Sequence, residues 1–192
     1  MQKLAILVTR LSSWVLSKMG RGGSMPGRLG IKIAPDCLNH LKFGGPVILV
    51  TGTNGKTSTA NMVSDLMEEA GYKVVTNRKG DNLRVGITST LLSHCSLSGR
   101  VKADAAVLEV DELNMKYIVP ALPVTAIVVN NFFRDQLDRA GEMERIIDTI
   151  ESVLPDYQGD LILNGNDPNV VRLAMAAPNA RKIYFGAAKN AS

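Results

Sequence analysis

Cysteine, histidine and aromatic residues are all scarce in this 192-residue chain, and each shortage narrows what the protein can do. The two cysteines, Cys37 and Cys95, lie far apart and have no partner at metal-ligand spacing. They suggest neither a disulfide framework nor a zinc site, and fit a reducing cytoplasm as small buried or half-buried residues. Aromatic residues make up 5% of the chain, too few for a platform that stacks bases, and the basic residues are scattered, so no nucleic-acid partner is expected. The net charge of +4 suits phosphorylated small molecules or an anionic membrane surface. Long apolar runs are also missing. Arg10 and Lys18 interrupt the N-terminal stretch and no small-residue cleavage site follows it, which argues against a secretory signal or a membrane span.

What is present is ordinary for a globular protein: 45% hydrophobic and 21% charged residues, enough for one good-sized domain whose core needs no staples. Leu4, Leu7, Val8, Leu11, Val15 and Leu16 recur close to helical spacing and predict an amphipathic helix packing on the domain, with attachment to a membrane surface as the alternative. Gly20–Gly27 reads as a loop and Ile31–His40 as a short connector. Residues 1–43 are thus expected to form an N-terminal helix and connector, and residues 44–192 the main domain.

From Pro46 onward the pattern becomes regular. Val47–Val50 is a short apolar run suited to a strand buried on both faces. A helix follows, on which Met62, Val63, Leu66, Met67 and Ala70 are expected to share the packing face, with Gly71 as its stop. Further strands are expected at Lys73–Thr76, Ala105–Val110, Ala126–Asn130, Leu161–Leu163 and Lys182–Phe185. Helices are expected between them, near Leu83–Leu92, Glu112–Val119, Glu142–Val153 and Pro168–Ala176. The alternation predicts an α/β fold, a mainly parallel sheet with helices on both faces, whose ligand sits at the carboxyl ends of the strands.

The strongest local signal lies at the end of the first such strand. Gly52-Thr53-Asn54-Gly55-Lys56-Thr57-Ser58 joins a buried strand to an amphipathic helix, the context a phosphate-cradling loop requires. Glycines let the main chain wrap a phosphate chain, and the helix N-terminus adds partial positive charge. Lys56 is placed to reach the β- and γ-phosphates of ATP, and the Thr57 hydroxyl to bind Mg2+. Val50 stands where the first glycine of the common spacing belongs, so the motif is a variant; its bland counterpart is a glycine turn capping a helix beside a surface lysine. A GTPase is disfavoured. Asp138-Arg139-Ala140-Gly141 matches a switch motif but follows a late strand, and no Asn-Lys-x-Asp base reader exists.

Two other strand ends carry polar groups to the same edge. Ala105–Leu108 runs into Glu109, a candidate magnesium ligand, whereas Asp111 and Glu112 are as well suited to open the next helix. Ala126–Val129 delivers into Asn130-Asn131-Phe132-Phe133-Arg134-Asp135, a loop of the kind that positions phosphate, metal or substrate; a surface salt-bridge cluster is the alternative. Asn77 and Arg78, after the second strand, could contact substrate or phosphate or simply form a turn.

Thr51–Thr57, the Leu108-Glu109 strand end and Asn131-x-x-Arg134-Asp135-x-Leu137-Asp138 together resemble the central domain of the Mur ligases, which with the folylpolyglutamate synthases make amide bonds through acyl phosphates. Phe133–Arg139 and Gly22–Arg28 are similar to the branch that amidates lipid II. The resemblance implies a P-loop NTPase-like central domain, with ATP bound by Gly52–Ser58 and by Asn164 and Asp167 of the Asn164–Pro168 segment. It also implies magnesium at Thr57 and Glu109, and Asn131, Arg134 and Asp135 shaping the site; no catalytic base is assigned. Gln136 stands where amino-acid-adding members carry a metal-binding histidine, which favours the amidating branch. In that branch the α-carboxylate of D-glutamate in lipid II is phosphorylated by ATP. Ammonia from a glutamine amidotransferase partner of the GatD type then completes D-isoglutamine, a step of peptidoglycan and cell-wall synthesis in the cytoplasm at the inner membrane face. The family continues into a four-cysteine zinc ribbon and a closing C-terminal domain, so zinc is expected only there, and a chain ending at Ser192 is expected to be an incomplete, inactive piece. An amino-acid-adding Mur ligase, a folylpolyglutamate synthase-like ligase and a non-catalytic ATP-binding module are the alternative functions.

Overall fold

The computed structural model describes residues 1–20, 23–77, 81–132 and 140–187. Six strands form one sheet: β1 (Val47–Thr51), β2 (Val74–Thr76), β3 (Ala105–Glu109), β4 (Ala126–Val129), β5 (Asp160–Asn164) and β6 (Arg181–Phe185). Their order is β2-β3-β1-β4-β5-β6, and every pair is parallel. β1 is therefore central, with Val50 paired to Glu109 of β3 on one side and Val128 of β4 on the other. That register brings the loops leaving β1, β3 and β4 together at one carboxyl edge, where a ligand of such a sheet is expected.

Helices α1 (Gln2–Lys18), α2 (Met25–Ile33), α3 (Lys56–Glu69), α4 (Arg84–Ser93), α5 (Met115–Ile118), α6 (Ala140–Glu151), α7 (Pro168–Val171) and α8 (Leu173–Ala176) complete the chain. Both sheet faces carry helices, though unequally. Successive strand residues point to opposite faces. On one side Val47, Leu49, Ala106, Leu108, Ile127 and Leu161 join a large core with residues of α1, α4 and α6. On the other, Val50, Val107 and Val128 meet Ala60, Val63 and Met67 of α3, the only described helix in that smaller cluster.

Several expectations need correction. Gly20–Gly27 is not loop throughout, nor Ile31–His40 all connector, because α2 begins at Met25 and runs to Ile33. Pro26 in its first turn pre-sets helical geometry. Gly27 meets α4 closely: a Cβ there would lie 1.8 Å from the Val85 carbonyl oxygen. In α1 the expected packing face is turned the other way. Ala5, Ile6 and Thr9 are buried, whereas Leu4, Leu7, Leu11 and Val15 are exposed. The small side chains allow close approach to α2, where a Cβ at Gly30 would come within 2.6 Å of Thr9 Oγ1. In α3, Met62, Leu66 and Ala70 are exposed and the packed side is Ala60, Val63, Ser64 and Met67. The buried Ser64 hydroxyl is satisfied by donating to the Ala60 carbonyl at 2.8 Å. The expected helix at Glu112–Val119 is broken into two 3-10 turns around α5, and that at Pro168–Ala176 is split at Arg172.

Candidate functional site

The loop between β1 and α3 takes its shape from two glycines. Gly52 has φ 121° and Gly55 φ 77°, the region that favours glycine. At Gly52 a Cβ would also lie 2.9 Å from the Asn131 backbone nitrogen and oxygen. Val50, where the common spacing has its first glycine, stays fully buried in β1, and the chain turns at Gly52. Asn131, at the end of β4, clamps the loop from the side. Its carbonyl accepts from the Thr53 amide at 2.7 Å, its Oδ1 accepts from the Asn54 amide at 3.0 Å, and its Nδ2 donates to the Asn54 carbonyl at 3.1 Å. Asn130 adds Nδ2 bonds to Thr59 Oγ1 at 3.0 Å and the Asn54 carbonyl at 3.4 Å. The Asn54 amide is thus engaged by protein rather than open to a ligand. The amides of Gly55, Lys56, Thr57 and Ser58 meet no acceptor among the described residues. They lie at the start of a 14-residue helix and carry its partial positive charge.

Lys56 folds back over this loop. Its ammonium donates to the Gly52 carbonyl at 2.5 Å, the Thr53 carbonyl at 3.3 Å and Glu112 Oε1 at 2.9 Å, which occupies the three donors of an ammonium. The pair is well covered, with side chains 13% and 8% exposed. Thr57 Oγ1 donates to Glu109 Oε2 at 2.7 Å, so the hydroxyl and the strand-end carboxylate nominated as a magnesium pair are in contact. Glu109 is fixed from behind: Asn82 Nδ2 donates to its Oε1 at 2.9 Å, and Asn77 brackets its backbone, Nδ2 to the carbonyl and Oδ1 to the amide, each at 2.9 Å. Asn77 is thereby a structural latch.

Thr53, Asn54, Gly55, Lys56, Thr57, Ser58, Asn82 and Glu109 line one open depression of about 330 Å³. It fits a polyphosphate with a small divalent cation. The outward amides and the ammonium match phosphate oxygens, and the Thr57–Glu109 oxygen pair leaves room for the waters and phosphate oxygens that magnesium retains. Among the described residues no three His, Cys, Asp or Glu side chains cluster as a metal site.

Asn164 and Asp167 serve the neighbouring scaffold. Asn164 Nδ2 donates to the Asn130 carbonyl at 2.8 Å. Asp167 caps α7 and accepts from the Phe132 amide at 2.7 Å through Oδ2. Both tie β5 to the segment that clamps the phosphate loop. Arg78, Arg134, Asp135, Gln136 and Asp138 lie outside the described residues. Glu112 and Asn82 are members of the site that sequence patterning did not single out; Glu112 also opens the 3-10 turn before α5, as its position suggests. Cys37 and Cys95 are buried and free, and burial pushes the Cys95 thiol up to about 11, as expected of inert core residues.

Comparison with known proteins adds a family. The Mur ligase middle domain model matches residues 50–192. The chain belongs to the Mur ligase family. The lipid II isoglutaminyl synthase (glutamine-hydrolyzing) subunit MurT of Streptococcus pneumoniae is 36% identical over 187 residues, covering 95% of this chain and 40% of that protein. The Staphylococcus aureus protein of the same name is 30% identical over 96% of this chain and 41% of its own length. The chain therefore spans about two-fifths of these Mur ligase relatives. Among solved structures, MurF from Acinetobacter baumannii superposes with TM-score 0.67 at 20% identity, over 83% of this chain and 35% of that one, a likeness of fold.

Proposed function

We propose that this Mur ligase chain is the ATP-binding part of a peptidoglycan ligase. Residues 44–192 would be the nucleotide domain, and residues 1–43 an N-terminal appendage packed on it. The amides of Gly55–Ser58 receive the phosphate chain of ATP, and Lys56 exchanges its Glu112 and carbonyl contacts for β- and γ-phosphate oxygens. Thr57 and Glu109 hold magnesium, which when bound neutralises phosphate charge. Gly52, Thr53 and Asn54 shape the loop, and Asn131, with Arg134 and Asp135 following in sequence, shapes the acceptor side. Asn164 and Asp167, bonded to Asn130 and Phe132, act on the nucleotide through the segment that clamps the phosphate loop. A carboxylate is a poor acylating agent; transfer of the γ-phosphate gives it a leaving group, and the site contributes positioning and preorganised charge.

We base the reaction on the name of the two MurT relatives, lipid II isoglutaminyl synthase (glutamine-hydrolyzing), and assign amidation of lipid II. We add as our own reading a glutamine amidotransferase partner as the ammonia source and the cytoplasmic face of the membrane as the place. The observation that carries the nucleotide reading is the Lys56–Thr57–Glu109 arrangement beside four outward amides. The identity and coverage of the MurT relatives support the choice of acceptor. The test is an assay of the complete subunit with lipid II, ATP and either ammonium or glutamine plus the partner, read by mass spectrometry for conversion of carboxyl to amide. Amidation that Glu109→Gln strongly reduces is expected; ligation of an added amino acid instead of ammonia would overturn the assignment. The 192-residue chain alone is expected to bind nucleotide without ligating.

A further inference from the structure

The outward face of α1 is more apolar than the face that packs. Leu4, Leu7, Leu11, Trp14 and Val15 are between 41% and 64% exposed. At about 3.6 residues per turn they fall on one side of the helix, opposite buried Ala5, Ile6 and Thr9. Burial of the small residues against α2 and α4 explains how the helix is held; among the described residues it leaves the larger apolar groups exposed. An isolated exposed leucine needs no explanation, but a continuous stripe of them marks a contact surface.

Charge indicates what that surface meets. Residues 1–35 contain six of the chain's 22 Lys and Arg and none of its 18 Asp and Glu. The remainder is therefore net negative by two, and the whole positive charge of the molecule comes from this segment. Lys3 and Arg10 are exposed beside the stripe, and Lys18 ends it with its ammonium 5.5 Å from the Trp14 ring centroid. Arg28 and Lys32 are exposed on α2. Pairing two copies through α1 would oppose like charges with no acid on either helix to relieve them. Leucine, a tryptophan and snorkelling basic side chains on one exposed helical face match the boundary between acyl chains and anionic headgroups.

We propose that the outer face of α1 is a contact for an anionic bilayer surface, lying in the headgroup plane. Among the described residues no helix is long and apolar enough to cross a membrane, and the contact proposed is that of a helix lying on the surface. The inference deepens the proposed function by giving an enzyme of a lipid-linked acceptor a membrane foothold. It relies on that reading for purpose alone, since its residues are separate from the nucleotide site.

Trp14 is the only tryptophan, so its fluorescence reports this face and no other. Vesicles of mixed phosphatidylglycerol and phosphatidylcholine should shift its emission to the blue and carry the chain into the pellet. Phosphatidylcholine alone should bind at least about tenfold more weakly, given about 1 kcal/mol per basic residue near an anionic surface. Salt at about 1 M, where screening acts within about 3 Å, should release the chain. The double variant Leu7→Glu/Leu11→Glu changes only exposed positions and should lose vesicle binding while its nucleotide titration is unchanged. Lys3→Glu/Arg10→Glu, which keeps the stripe, should lose the preference for anionic vesicles. Absence of a blue shift and of sedimentation with anionic vesicles would overturn the proposal, as would undiminished binding by the double variant. So would self-association or complex formation with a protein through these leucines in the absence of lipid binding. The nucleotide titration on the same samples reports the proposed function separately.

Discussion

Lys56 is held by three acceptors, one of them the buried carboxylate of Glu112. A phosphate must compete with that carboxylate for the ammonium. Glu112→Gln keeps the shape and removes the competing charge, so affinity for a nucleotide analogue without magnesium should rise by about tenfold, the equivalent of about 1.4 kcal/mol; calorimetric titration measures it. Glu109→Gln should act differently: affinity in chelator stays unchanged, but the gain in affinity on adding magnesium largely disappears. Thr57 and Lys56 were legible in the sequence because glycine, lysine and hydroxyl are adjacent along the chain and sit between a strand and a helix. Glu112 and Asn82 were not. Their partners lie 56 and 27 residues away, and a single carboxylate or amide carries no periodic mark of the contact that folding gives it.

At the scale of elements, backbone approach decides what a substitution does. Gly71, at φ 90°, has nothing within 4 Å of an added Cβ, so Gly71→Ala should cost only the left-handed penalty of about 1–2 kcal/mol. Gly52→Ala adds a collision with the Asn130–Asn131 backbone and should cost a further ~1–3 kcal/mol, with nucleotide binding lost as the clamp opens; thermal unfolding distinguishes the two variants. Gly27→Ala forces α2 away from α4 and should destabilise comparably. The same closeness explains why strands were easier to read than helix faces. In β1 and β3 an apolar run must be buried on both sides, and the strands found end within one residue of those expected. In α1 and α3 the periodicity showed that an amphipathic pattern existed, while small side chains such as Ala5, Thr9, Ala60 and Ser64 took the interior because they admit a neighbouring backbone. Hydrophobicity alone assigns those faces wrongly.

Across the whole molecule, the alternation of strands and helices foretold a parallel sheet. The placing of β1 between β3 and β4, and the loading of all described helices but α3 onto one core, depend on long-range pairings the sequence does not display. Burial within that core has a consequence for pH. Desolvation raises the Cys95 thiol from 9.0 to about 11 and shifts Cys37 and Tyr157 upward as well. A group whose folded pKa exceeds its unfolded value contributes its full stability below the unfolded pKa and loses it as pH climbs through the folded one. Stability should therefore be flat with respect to these groups below pH 9 and decline toward pH 11. Cys95 contributes roughly 2–3 kcal/mol of the loss. Urea melts of the wild type and Cys95→Ala across that range should show the smaller alkaline decline in the variant.

Calorimetric titration of the chain with a non-hydrolysable ATP analogue, with and without magnesium, addresses the nucleotide site most directly. Binding should strengthen with magnesium, and Lys56→Ala should weaken it by roughly ten- to a hundredfold, the value of a charge-assisted hydrogen bond of about 1.5–3 kcal/mol. Equal affinity for the two proteins, or affinity indifferent to magnesium, would contradict a phosphate site built on Lys56, Thr57 and Glu109.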